Sequence, residues 1–161
     1  MSATDDLERI DDPDWAVRTA VYAFIAEQTW PPTVDETAAI LGVARERAAL
    51  AYRRLNQRHA LFLEPGTLSI RMAHPFSGIL TTFKVRANGR AYWANCAWDM
   101  LGVPAALNAD AEIDAYYADA ANTPVTLSVR GGHVYSHDDD TEGIIHFPLP
   151  FQHWYDDLVR T

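Results

Sequence analysis

A thiol and a carboxylate lie three residues apart at Cys96 and Asp99, within the segment Ala91–Pro104. If this segment opens a helix, side chains at that spacing share one face. Asn95 is a good N-cap residue, which predicts that Cys96 lies in the first helical turn. There the helix dipole favours the thiolate, which attacks electrophiles and binds soft metals. Because ionised Asp99 opposes a thiolate, the pair suits a carboxylate that takes the thiol proton and later returns it.

The same segment has a second interpretation, which is simple packing. Cys96 is the only cysteine in 161 residues, and a free cysteine often behaves as a small buried hydrophobe. The neighbouring aromatic side chains suit a core equally well, or one apolar wall of a pocket for a small hydrophobic substrate: Tyr92, Trp93 and Trp98. The spacing of the residues leaves both interpretations open.

Composition restricts the function classes. A hydrophobic content of 48% with 11% aromatic residues is enough for a packed core. A net charge of -9 argues against a general binder of nucleic acid or anionic membranes. A single cysteine excludes an intrachain disulfide and a cysteine-rich zinc site. The acidic start does not resemble a signal peptide and no apolar run approaches ~20 residues, so we expect a soluble cytoplasmic protein.

The first half of the sequence is predicted to be mainly helical. Apolar residues recur at helical spacing over Asp14–Gln28, and Thr33 with Glu36 forms a capping box for a short helix ending near Gly42. A third helix is expected over about 44–58, followed by strands at 60–63 and 68–72 around a turn at 64–67. Three helices and a β-wing predict a winged helix.

The second half is predicted to be a small mixed or antiparallel sheet with a central helix. Asn88-Gly89 marks a hairpin between 81–86 and 90–93, and the helix after Cys96 ends near 104–107. Further strands are expected at 125–129, 134–135 and 143–147, and a last helix at about 152–160. The predicted fold is therefore α+β, with an acidic lead-in at 1–12, a winged-helix region at 13–72 and a catalytic region at 73–161.

The third predicted helix carries five arginines against one acidic residue. A helix-turn-helix protein would read DNA there, because arginine contacts phosphates and guanine edges. A solvated basic face that balances the acidic N-terminus explains the same pattern, and the overall charge favours it. The residues concerned are Arg45, Arg47, Arg53, Arg54 and Arg58, with Glu46 as the acid.

Four histidines are worth weighing as site residues. His133 and His137 precede the acidic run 138–142, and Gly131-Gly132 favours a solvated loop over a metal site. His146 lies in a predicted apolar strand, where a satisfied histidine in or near the core is expected. His74 precedes Pro75 at the junction between the halves and is the better candidate for a pocket.

Taken together, several segments resemble the alkylmercury (organomercurial) lyase family. The resemblance covers about residues 13–155, and Asn95-Cys-Ala-Trp-Asp99 after a Pro-Phe-Ser junction is its most specific element. The matching segments are Met72-Ala-His-Pro-Phe-Ser-Gly78, Trp93-Ala-Asn-Cys-Ala-Trp-Asp99, Leu101-Gly-Val-Pro104, Thr123-Pro-Val-Thr-Leu-Ser-Val129 and Ile145-His-Phe147.

The resemblance implies roles for the thiol and the carboxylate. In that family the cysteine matching Cys96 binds the mercury, and the aspartate matching Asp99 handles the proton that ends on the released carbon. A second cysteine before the stretch matching His146-Phe147 completes the site there. This sequence has none, and Glu142 or Gly143 falls near that place. An external thiol could then supply the missing ligand.

The sequence therefore predicts a lyase-like enzyme that acts on a small molecule without a cofactor. The expected catalytic residues are Cys96, also the soft-metal ligand, and Asp99, with a pocket formed by Tyr92, Trp93, Asn95, Trp98, His74 and Glu142. No membrane or nucleic-acid partner is expected. The alternatives are a relative repurposed as a biosynthetic lyase, isomerase or hydrolase on a small metabolite, a winged-helix DNA-binding sensor, and a structural partner in which Cys96 is merely packed.

Overall fold

The computed structural model describes residues 12–117, 121–137, 143–147, 149–150 and 153–154. Within these ranges the chain forms four helices and two antiparallel sheets, which confirms the predicted α+β class. The predicted acidic lead-in falls outside them except for its last residue, as does most of the predicted C-terminal helix. None of the described helices combines the length and apolar character needed to cross a membrane.

Three helices come first, close to where the sequence predicts them. They are α1 (Asp12–Gln28), α2 (Val34–Leu41) and α3 (Arg45–Gln57). The predicted capping box is present, since Thr33 and Glu36 bond reciprocally at the start of α2. Gly42 ends that helix with φ of 63°, a conformation that glycine adopts without a steric penalty. The buried side chains of the three helices pack together around Val21, Tyr52 and Leu55.

A small sheet follows the helices, in the order β1-β2-β3. Its strands are β1 (Phe62–Leu63), β2 (Ile70–Ala73) and β3 (Phe76–Ser77). The predicted turn is present, because the Thr67 amide donates to the Glu64 carbonyl at 3.0 Å. β3 was not predicted, and it lies inside the expected junction between the halves. The winged-helix assignment and the division at residue 72 stay predictions.

The larger sheet has the strand order β5-β4-β6-β7-β8. Its strands are β4 (Lys84–Ala87), β5 (Arg90–Trp93), β6 (Ala111–Tyr116), β7 (Pro124–Arg130) and β8 (His133–Ser136). Asn88 and Gly89 both have positive φ, at 52° and 73°, as the predicted two-residue hairpin turn requires. The central strand β6 was missed by the sequence analysis. The predicted strand at 143–147 is wrong, since that segment is irregular.

The remaining helix, α4 (Ala97–Leu107), crosses the face of the large sheet over β4 and β6. Its buried residues Met100 and Val103 join a core that includes Val85 of β4 and Ile113 of β6. The isolated bridge between Phe76 and Ala94 links the small sheet to the chain just before α4. The N-terminus of α4 therefore lies where the helical half, the small sheet and the large sheet meet.

Candidate functional site

The first turn of α4 differs from the prediction by one residue. Cys96, and not Asn95, is the N-cap, with an extended backbone at φ -150° and ψ 179°. The first helical residue is therefore Ala97, and Asp99 occupies the third helical position. The assignment of Asn95 as the N-cap is wrong, since its Nδ2 donates toward Pro75 and Asp99 and its Oδ1 caps no described helical N–H. Cys96 and Asp99 still lie on the same side of the helix start, as their spacing predicts.

Asp99 is held by two side-chain donors at a single oxygen. The carboxylate is only 8% exposed, and its Oδ2 accepts from Asn95 Nδ2 at 3.0 Å. The same Oδ2 lies 3.2 Å from His74 Nδ1, a distance at which the ring N–H donates to the carboxylate. His74 and Asp99 are 25 residues apart in the sequence. One amide and one imidazole therefore hold this carboxylate in place.

Asn95 fastens the start of α4 to the small sheet. Its Nδ2 also reaches the carbonyl oxygens of Pro75, at 3.2 Å, and Phe76, at 3.3 Å. Three acceptors therefore surround one amide nitrogen, while Asn95 Oδ1 is buried and accepts no hydrogen bond from any described residue. An aspartate at this position would place a second carboxylate against Asp99, so the amide is chemically required here.

The Cys96 thiol is partly buried, and this burial raises its pKa. The Asp99 carboxylate raises the pKa further, whereas the backbone amides of Asp99 and Trp98 offset part of the effect. The direction is opposite to the one expected from the helix dipole alone, because loss of water outweighs the dipole. At neutral pH Cys96 therefore rests as a thiol, with its proton on sulfur.

The backbone at His74 is clamped from the helical half of the molecule. The Tyr22 hydroxyl on α1 donates to the His74 carbonyl at 2.9 Å, and Arg18 Nη2 donates to that hydroxyl at 3.1 Å. Burial raises the pKa of Tyr22, which keeps the phenol protonated as a donor. The Phe62 ring meets the His74 ring edge-on, with 5.1 Å between centroids. The imidazole therefore has an apolar neighbour and one carboxylate partner.

A close approach between α4 and the small sheet completes the frame. A Cβ built on Gly102 would lie 2.9 Å from Pro75 Cβ, closer than real Cβ contacts allow. Gly102 follows Asp99 by three residues and so shares its face of α4. The absence of a side chain there lets the segment that carries His74 lie directly against the helix.

Two of the predicted pocket aromatics occupy very different places. Tyr92 is in the core, its hydroxyl donating to the Ala26 carbonyl on α1 at 2.7 Å. Trp93 is the next residue on β5 and lies with the Lys84 ammonium 5.7 Å from its ring centroid. That these two side chains line a substrate pocket stays a prediction.

Trp98 belongs to an exposed aromatic group that the sequence analysis did not assemble. It is 57% exposed, and its ring meets the Phe147 ring edge-on at 6.0 Å. Phe147 in turn lies 4.9 Å from Trp154. The sequence could not indicate this cluster, because Trp98 is far along the chain from the other two rings. Glu142, the last predicted pocket residue, lies outside the described residues.

The arginines of α3 are mostly engaged within the protein. Asp14 on α1 is fully buried and pairs with Arg47 at 2.8 Å and with Arg54 at 3.2 Å. Arg45 lies 2.9 Å from Asp35 at the start of α2. These pairs favour the structural explanation of the basic pattern over contact with nucleic acid.

The other histidines stand apart from the α4 site. His133 lies on β8, and His137 is 3.7 Å from Glu112, so the predicted loop begins only after the strand. His146 is exposed, and its predicted place in an apolar core strand is wrong. Among the residues that the structure describes, no group of three or more histidine, cysteine or acidic side chains could hold a metal ion.

Comparison with known proteins gives one family and one fold. A family model described as alkylmercury lyase matches residues 76–160, a range that includes Cys96 and Asp99. The crystal structure of the mercury-bound form of MerB2 is similar, with a TM-score of 0.66 and 23% sequence identity. The match covers 84% of this chain and 65% of that one, so the chain spans about two thirds of that relative's length. No curated protein matches the sequence.

Proposed function

The chain belongs to the alkylmercury lyase family, and we propose that it cleaves the carbon–mercury bond of organomercurial compounds. One observation carries this function above the others. A thiol and a buried carboxylate lie together at the start of α4, inside the residues that match the family model. A soft sulfur ligand for mercury and a proton carrier for carbon are the two groups that such a cleavage requires.

In the first step, Cys96 sulfur bonds to the mercury of R–Hg–X, where R is the organic group and X a weakly bound ligand. The X–mercury bond breaks and X leaves with its electron pair. The thiol proton passes to Asp99, because a sulfur bound to Hg(II) no longer retains it. The raised pKa of the free thiol supports this order, since the proton is still on sulfur when the substrate arrives.

In the second step, Asp99 gives its proton to the carbon bound to mercury. The electron pair of the carbon–mercury bond becomes that of the new carbon–hydrogen bond, and R–H leaves. Mercury stays as Hg(II) on Cys96 sulfur, so no atom is oxidised or reduced. Asp99 returns to its carboxylate form, in which Asn95 and His74 donate to Oδ2.

Release of the metal then needs thiols from outside the chain. Cys96 is the only cysteine, so this chain supplies one sulfur ligand and not two. A small thiol R′SH adds its thiolate to the mercury, and a second displaces Cys96 to give Hg(SR′)₂. One of the two thiol protons restores the Cys96 thiol. The other is released and balances the anion X that left in the first step. Thiols therefore serve as co-substrates in every turnover.

The organic group of the substrate is proposed to be apolar. Trp98 follows the thiol by two residues and, with Phe147 and Trp154, offers an exposed aromatic surface. An aryl or alkyl group would be shielded there from water while its carbon is protonated. Trp93, Tyr92 and Glu142 are the further pocket residues that the sequence predicts, and we retain them as such.

The test is benzene release from phenylmercury in the presence of excess small thiol. The native protein is expected to turn over, and Cys96→Ser is expected to release no benzene above the protein-free rate, with an unchanged circular dichroism spectrum. Asp35→Asn serves as a control, because Asp35 is an exposed carboxylate on α2 and should leave the rate unchanged. Full activity of the folded Cys96→Ser protein would refute the proposed function.

A second candidate has one observation in its favour, which is the missing second cysteine. A relative that no longer needs two sulfur ligands could use the same thiol and carboxylate on a small organic metabolite. Stoichiometric binding of phenylmercury without benzene release would favour this candidate. The search would then turn to lyase, isomerase or hydrolase substrates that carry an electrophilic carbon.

A further inference from the structure

We propose, on the basis of the function proposed above, that His74 is a positioning residue that aims the Asp99 carboxylate. His74 and Asn95 both occupy Oδ2, which leaves Oδ1 to exchange the proton with Cys96 and with the substrate carbon. The two oxygens of the carboxylate would thereby have separate tasks: Oδ2 holds the carboxylate in place, and Oδ1 exchanges the proton.

The contacts of Asp99 carry this division of labour. Both side-chain donors among the described residues go to the same oxygen, at 3.2 and 3.0 Å. The Asp99 carboxylate also helps to raise the pKa of the Cys96 thiol, so the two groups interact. A proton carrier has to lie within hydrogen-bonding reach of the group it serves. Two donors on Oδ2 restrict rotation of the carboxylate, and no described side chain donates to Oδ1.

His74 is suited to this task because its own position is fixed. Tyr22 bonds to its backbone carbonyl, and the Phe62 ring packs edge-on against its imidazole. Pro75, the next residue, lies against Gly102 on the same helix as Asp99. The ring is therefore supported by α1, β1 and α4, the three elements that meet at the site.

His74 and Asn95 differ in what their loss would disturb. Asn95 Nδ2 also reaches two backbone carbonyls, so its removal would loosen the attachment of α4 to the small sheet. The hydrogen bond of the His74 ring within the described residues goes to Asp99 alone. The His74 side chain is 45% exposed, so its replacement leaves no large cavity. Its loss should affect proton transfer more than folding.

The experiment compares three substitutions at one position. Asparagine places an amide N–H close to where Nδ1 lies, and glutamine places one near Nε2 of the native ring. His74→Ala and His74→Gln are expected to slow single-turnover benzene release by about 10- to 100-fold, because a displacement of about 1 Å is enough for such a loss. His74→Asn is expected to restore most of the rate. All three should bind phenylmercury as the native protein does.

A mercury-free measurement separates this role from the proposed function. The rate of Cys96 alkylation by iodoacetamide is followed against pH in the native protein, the three His74 variants and Asp99→Asn. If His74 holds the carboxylate at the thiol, the His74→Ala and His74→Gln profiles move toward that of Asp99→Asn, and the His74→Asn profile stays native.

Each result decides between the possibilities. If the alkylation profiles shift as expected but the native protein releases no benzene, the positioning role is supported and the proposed function is refuted. Benzene release with native alkylation profiles and native rates in all three variants overturns the positioning role and leaves the proposed function standing. Equal loss in all three variants, with weaker phenylmercury binding, indicates a merely structural residue and also overturns it.

Discussion

Two aspartates are buried within the described part of the chain, and they differ in the groups that surround them. Asp14 lies between α1 and α3 with the guanidinium groups of Arg47 and Arg54. Asp99 lies at the start of α4 with an amide, an imidazole and a thiol. The first carboxylate is surrounded by permanent positive charge and the second by groups that are neutral or able to exchange a proton.

The difference teaches that burial alone does not mark a chemical site. The carboxylate between two arginines connects α1 to α3 through ion pairs. The Asp99 carboxylate is held by an amide and an imidazole and interacts with a thiol. Sequence and burial make the two aspartates alike, and the identity of the neighbouring groups is what distinguishes the candidate site from the structural ion pairs.

Asp14→Asn gives the largest expected effect on stability. The substitution removes the ion pairs of Asp14 with Arg47 and Arg54, and breaking a buried ion-pair cluster costs about 3–5 kcal/mol. Urea unfolding should show a much lower midpoint with an unchanged slope. Asp35→Asn is the matched control, since that carboxylate pairs with exposed Arg45 and its loss should cost less than ~1 kcal/mol. Equal effects of the two substitutions would contradict the structural role of Asp14.

Gly102→Ala is expected to have an intermediate effect on stability and also to lower the activity. The added methyl group meets Pro75 and must push the His74 segment away from α4. Overpacking of this kind costs about 1–3 kcal/mol, measurable by urea unfolding. Benzene release should fall in the folded protein, because His74 moves with Pro75. Gly89→Ala, at an open hairpin turn, is the control and should leave benzene release unchanged.

Asp99→Asn gives the smallest expected effect on stability, within ~1 kcal/mol, because an amide oxygen can still accept at the Oδ2 position. The main expected effect of this substitution is on the reactivity of the Cys96 thiol. The carboxylate raises the pKa of Cys96, so its removal lowers that pKa and increases the thiolate fraction at neutral pH. Iodoacetamide should therefore alkylate the variant severalfold faster at pH 7.5. A slower or unchanged rate would show that Asp99 does not act on the thiol.

Local signals in the sequence predicted much of the fold. The capping box at Thr33, the glycine after α2 and the Asn88-Gly89 turn each act through neighbouring backbone atoms, so a short stretch of sequence contains the whole cause. β6 alternates in burial as a strand should, with Ala111, Ile113 and Ala115 inward, but two of these side chains are small. The segment 143–147 has the apolar residues of a strand without a partner among the described strands.

The site was predictable only where its parts are close in sequence. Cys96 and Asp99 were paired from their spacing, whereas the contact of His74 with Asp99 spans 25 residues. That contact depends on β3 turning back against β2 and on α4 crossing the large sheet, and β3 was not foreseen. The sequence also did not predict that the thiol is protonated, because its protonation depends on burial. Proximity in three dimensions is the information that a single sequence does not contain.

The hydrogen bond from Tyr22 to the His74 carbonyl bears on whether the segment that matches the family model can be separated from the rest of the chain. The residues that match the family model begin at 76, after His74 and well after Tyr22 and Phe62. A fragment excised at that boundary would keep the thiol and the carboxylate but lose the imidazole and its supports. Exchange of the first 75 residues between relatives would thus replace His74, which contacts Asp99, together with Tyr22 and Phe62, which support His74.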